Sequence, residues 1–182
     1  MLRSVTALAL AFAFITAAHA EDFEEFSSKG LPGSKGIVVR VSHPAGWKKV
    51  QPDDELALAE LRGPQGPLTG ILQVARTGRR AGTDALCHPE RARTILQHLA
   101  DDEADTRVTD VFARTSEGRP GFEIRYERNL APEFLLVRSV IACLKDSRVL
   151  VSCGATGETK KALAEIEPVC RQVLDSLSIS EE

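Results

Sequence analysis

Between Arg107 and Cys153 the sequence offers four β-type segments whose connections are too short for anything but antiparallel pairing. Arg107–Thr115, Gly121–Asn129, Phe134–Leu144 and Val149–Cys153 follow one another with only a few residues between them. A parallel crossover would need about a dozen residues or more, so a purely parallel sheet is excluded for this half of the chain. The period-two pattern is clearest in Gly121–Asn129, where Phe122, Ile124 and Tyr126 alternate with Glu123, Arg125 and Glu127. That alternation predicts a strand with one apolar and one polar face. Lys145-Asp146-Ser147 reads as the turn of a closing hairpin.

Three further strands are expected upstream. Ile37–Val41 is short and β-branched, and His43-Pro44-Ala45-Gly46 reads as a turn delivering Trp47, expected to be a core plug. Leu56–Leu61 and Thr69–Ala75 flank Gly63-Pro64-Gln65-Gly66-Pro67, whose glycines and prolines punctuate a connection. The period then changes. Ala92, Ile95, Leu96 and Leu99 recur at helical spacing behind Pro89, a residue suited to a first helical position, and the run ends in Asp101-Asp102-Glu103. A last helix carries Leu163, Ile166, Cys170, Val173 and Leu177 on one face, with Pro168 expected to kink it or mark its start. The order β-β-β-α-β-β-β-β-α predicts an α+β fold: a mostly antiparallel sheet of six to seven strands with helices packed on it.

Residues 1–20 have a different character. Arg3 is their only charged side chain, Val5–Ile15 is apolar apart from Thr6, and Ala18-His19-Ala20 has the small-x-small form of a signal-peptidase site. The segment reads as a cleaved secretory signal, placing the product in the periplasm or beyond. Residues 21–36 read as a flexible acidic, Gly/Ser-containing lead-in, and 37–179 as one α+β domain. Without Arg3 the mature chain carries 22 basic and 26 acidic side chains, a net −4. Such a balance gives no electrostatic reason for nucleic acid or anionic lipid as a partner. No later apolar run approaches the roughly 20 residues of a membrane span, so stable insertion is not expected.

Four cysteines, Cys87, Cys143, Cys153 and Cys170, enter that oxidising compartment. They form no Cys-x-x-Cys and no close-spaced ligand pairs, so structural disulfides are expected rather than redox chemistry or zinc. Four cysteines allow three pairings. Cys153 at the end of a strand and Cys170 on the apolar face of the returning helix belong to elements that must pack together, which favours that pair; Cys87–Cys143 then follows by elimination. No catalytic set stands out. There is no Gly-x-Ser-x-Gly elbow; His43 sits in a turn, His98 on a polar helix flank, and Cys87-His88 are adjacent residues that rarely point into one site. No metal and no cofactor are expected. As contact surface the basic, glycine-flanked loop around Arg79 and Arg80 is the first choice, with Asp101–Asp105 next.

A Gly-initiated strand, the His43-Pro44-Ala45-Gly46-Trp47 turn, one mid-chain helix, a late hairpin and a final helix ending Leu174-Asp175-Ser176-Leu177 resemble the PsbP/Mog-like fold family, over roughly Gly36 to Ile179. The chain departs from that pattern in its cysteines and in His43, where Tyr is common. The resemblance implies binding or assembly with another protein rather than catalysis. The expected function is thus a periplasmic, non-enzymatic protein-binding domain. An immunity or inhibitor protein against a periplasm-acting toxin or enzyme, and a hydrolase with dispersed residues, are the alternatives.

Overall fold

A computed structural model describes residues 22–52, 54–64, 68–78, 87–102 and 105–182. The expected signal segment and both Arg79 and Arg80 lie outside these described residues. Ten strands and two helices are described: β1 (Phe23–Ser27), β2 (Ile37–Pro44), β3 (Lys48–Val50), β4 (Ala57–Arg62), β5 (Leu68–Gly78), α1 (Pro89–Asp102), β6 (Thr106–Ser116), β7 (Arg119–Leu130), β8 (Glu133–Cys143), β9 (Ser147–Gly157), α2 (Lys160–Asp175) and β10 (Ser178–Glu181). All pair antiparallel, as a three-stranded sheet β1-β2-β10 and a seven-stranded sheet β3-β4-β5-β9-β8-β7-β6. The architecture is the α+β arrangement expected, with two corrections. The strands divide between two sheets, and Phe23–Ser27, inside the segment expected to be flexible, forms β1 against β2.

The second sheet follows from β2. Val38 and Val39 are both almost fully buried, so this strand presents apolar side chains on both faces, and its buried backbone N–H and C=O groups need a strand on each edge. β1 and β10 supply them, each anchored by little more than one buried residue, Phe26 and Ile179. α2 packs on β9, β8, β2 and β5, its buried stripe of Leu163, Ile166, Cys170, Val173 and Leu174 joining the two sheets into one core. Pro168 lies inside this helix, on its exposed side, where the missing N–H deprives only the Ala164 carbonyl of a partner.

The disulfides Cys153–Cys170, from α2, and Cys87–Cys143, from the turn two residues before α1, reach opposite faces of the large sheet. Cys153 pairs across strands with Arg138 and Leu72, on the face that α2 covers. Cys143 points the other way, with Ile141, toward the smaller cluster of Ala92, Val111, Phe122 and Ile124 under α1.

The His-Pro-x-Gly-Trp turn also acquires a physical meaning. Gly46 adopts φ +87°, a conformation that costs an L-residue energy, and the turn closes with Trp47 N–H donating to the Pro44 carbonyl at 3.2 Å. This delivers the half-buried Trp47 ring onto Gly63 and Gly70, whose missing side chains make the room. A Cβ built on Gly70 would stand 2.4 Å from Trp47 Cζ2. Gly70→Ala is therefore expected to displace the ring and destabilise the fold by about 1–3 kcal/mol. Trp47 is the only tryptophan, so its emission should shift to the red in this variant; an unchanged spectrum and melting point would contradict the packing described.

Candidate functional site

α2 covers β8 and β9 but stops short of β6 and β7, and the alternation of β7 determines what lies bare beside it. Phe122 and Ile124 are buried in the α1 cluster, so Glu123, Arg125 and Glu127 must face the α2 side. There they do not form the simple solvated face that alternation alone predicts. Glu123 accepts from Arg114 of β6 at 2.6 Å and pairs with Arg138 of β8 at 3.2 Å. Arg138 reaches Glu167 of α2 at 3.0 Å, and Glu167 pairs in turn with Arg125 at 3.2 Å. Arg114 closes the other end on Asp175 at 3.2 Å. Charges of alternating sign thus run Asp175, Arg114, Glu123, Arg138, Glu167, Arg125, with Arg138 and Glu123 each only 13% exposed.

Two consequences follow from the partners. α2 has no basic residue in its own last turn, and Arg114 Nη2 supplies one from β6 by donating to the Leu174 carbonyl at 2.6 Å. A cation at that position satisfies an orphan carbonyl and complements the negative end of the helix dipole. The same contacts bind β6, an edge strand, to α2 and so fix the angle between helix and sheet. Phe112 pairs with Glu123 across the strands, shares its face, and is 49% exposed. A large apolar side chain thus stands at the sheet edge, beside the charged platform.

At one end the platform opens into a cavity of about 350 Å³. The start of β6, the end of β7, the start of β8 and the first turn of α2 enclose it. Phe134, Leu136 and Leu163 supply apolar lining, while Arg107, Arg125, Glu127 and Lys160 supply charge. Lys160 is held by Glu127 at 3.2 Å and sits 5.9 Å over the Phe134 ring.

Of the residues singled out in the sequence that the structure describes, one reaches this region, while Arg79 and Arg80 lie outside the described residues. Asp105, at the end of the acidic run, is exposed and borders the cavity. His43 is buried in β2, beyond the expected limit of that strand, with Nδ1 donating to the Pro44 carbonyl at 3.0 Å. His98 is exposed on α1. Among the described residues no group of three or more His, Cys, Asp or Glu side chains is placed to hold a metal ion. Arg114, Arg125, Arg138, Glu123 and Glu167 were not singled out by sequence reasoning. One signal was available: Arg138 is the only charge between Phe134 and Cys143, an arginine inside an apolar strand.

No protein-family model matches the sequence, and no curated protein does. Solved structures do match in shape. Cyanobacterial PsbP (CyanoP) from Synechocystis superposes with a TM-score of 0.59 at 12% identity, over 90% of this chain and 96% of that one. The yeast Ran-binding protein Mog1p gives 0.52 at 10% identity, over 87% and 95%. LpqN of Mycobacterium tuberculosis, involved in cell envelope biogenesis, gives 0.53 at 15% identity, over 87% and 91%. This chain has the PsbP/Mog-like fold. At such identities the PsbP/Mog-like likeness concerns backbone architecture, and the disulfides and the charged platform are properties of this chain's own residues.

Proposed function

We propose that this chain is an exported, non-enzymatic module that acts by binding another protein on the β6–β7 platform beside α2. The observation that carries this reading is the placement of an exposed Phe112 on a face whose charged side chains are already held in fixed geometry by one another and by α2. An aromatic anchor beside a preorganised polar surface is what protein interfaces use, because little side-chain freedom remains to be lost on association. Export is supported by the signal-like residues 1–20 and by two disulfides, which persist in oxidising compartments. A protein partner is supported by the fold shared with a Ran-binding protein.

Phe112 and Leu56 are the two large apolar residues most exposed among those described, and only Phe112 adjoins the platform. A photo-crosslinking residue placed at each position in the exporting cell tests the reading. Position 112 is expected to yield a discrete adduct with one protein and position 56 none. Equal labelling at both, or no adduct at 112, would contradict it.

A further inference from the structure

We infer that the cavity beside the first turn of α2 holds the C-terminal residue of a partner chain, an apolar side chain together with its free carboxylate. The inference rests on the protein-binding reading and adds the chemistry of the contact. A volume of about 350 Å³ accommodates one large side chain with its main-chain atoms. Phe134, Leu136 and Leu163 make the site apolar where the side chain would rest. Of the cations that line it, Lys160 is balanced by Glu127 and Arg125 by Glu167, while Arg107 stands on the cavity side with no ion pair among the described residues, in a chain whose net charge is −3. A local cationic excess over an apolar floor is complementary to an apolar group bearing one negative charge. The first turn of α2 adds the positive end of a helix dipole to the same space.

The roles of the cations differ. Lys160 is engaged by Glu127 and Arg125 by Glu167. Arg107 is exposed, forms no ion pair among the described residues, and pairs with Glu127 across β6–β7, which sets it on the cavity side of the sheet. It is the guanidinium that would take the carboxylate. The platform leading to the cavity argues for a chain end rather than a free small acid. From Phe112 to Arg107 it runs five residues of strand, roughly 17 Å, so a segment lying along it would arrive at the cavity with its terminus.

The test uses the full mature chain with both disulfides formed. Fluorescein-labelled peptides long enough to reach Phe112 and ending in Leu, Ile, Val or Phe are titrated as free acids and as amides, with octanoate as a small-molecule carboxylate. Arg107→Glu removes the anchoring charge, and Ala164→Trp fills the cavity from an exposed helix position. At least one free-acid peptide is expected to bind, its amide about tenfold more weakly, with a similar loss in Arg107→Glu and no binding to Ala164→Trp. The inference is overturned if no free acid binds at millimolar concentration, if acid and amide bind equally, if binding survives Ala164→Trp, or if octanoate binds where the peptides do not. Cross-linking from position 112 that persists in Ala164→Trp would leave the protein-binding reading standing without this inference. Its absence from the parent chain would remove the reading itself.

Discussion

Arg138→Leu is expected to destabilise the folded chain by about 2–3 kcal/mol, because Glu123 and Glu167, though each keeps one arginine in Arg114 and Arg125, lose the cation they share in a largely buried layer. For a chain of this size that loss corresponds to a fall in melting temperature of roughly 5–10 °C. The companion variant is informative because charged layers of this kind often add little net stability over apolar ones. Replacing Glu123 and Glu167 with Gln and Arg138 with Met together removes the charges without stranding one. Arg114 and Arg125 retain 22% and 31% exposure and reach solvent. The triple variant should melt within a few degrees of the parent while Arg138→Leu alone does not, as read by thermal unfolding. Equal destabilisation by both would mean that packing, not charge pairing, holds α2 on the sheet.

Removing the disulfides should have an effect of similar size, unequal between the two. The Cys87–Cys143 bridge spans 56 residues and Cys153–Cys170 only 17. On the chain-entropy account the first contributes about 4 kcal/mol and the second about 3. Paired Cys→Ala substitutions followed by urea unfolding separate them. Cys153 and Cys170 are also nearly fully buried in the core, so their removal adds a packing loss that Cys87 and Cys143, at 8% and 6% exposure, incur less. Should reduction of the parent chain leave its stability unchanged, neither bridge constrains the unfolded state as described.

The parts of the fold legible in the sequence are those where one side chain in two must be apolar. Gly121–Asn129 shows its pattern because β7 has a real core face of Phe122 and Ile124. The Cys153–Cys170 pair was accessible for a related reason, since a strand end and an amphipathic helix stripe in succession have to meet. β1, β3 and β10 were not. Phe23–Ser27 contains two glutamates, Lys48–Val50 two lysines, and Ser178–Glu181 one apolar residue; each is an edge strand whose order comes from the neighbour it completes. The platform was hidden for a different reason. Glu123 and Arg125 belong to the face that would be solvated in an isolated hairpin, and nothing local to β7 says that Glu167, 44 positions after Glu123, returns to meet them.

The central claim is that the β6–β7 platform is the contact surface, and binding of the protein cross-linked at position 112 tests it most directly. With that partner purified, its Kd is measured against the parent chain, Phe112→Lys and Leu56→Lys, two exposed substitutions that each should move stability by less than about 0.5 kcal/mol, the first placing a cation and not a second anion opposite Glu123. Phe112→Lys is predicted to weaken binding by about 2 kcal/mol or more, some thirtyfold, while Leu56→Lys binds as the parent does. Equal affinity for all three chains, with melting temperatures unchanged, would contradict the account.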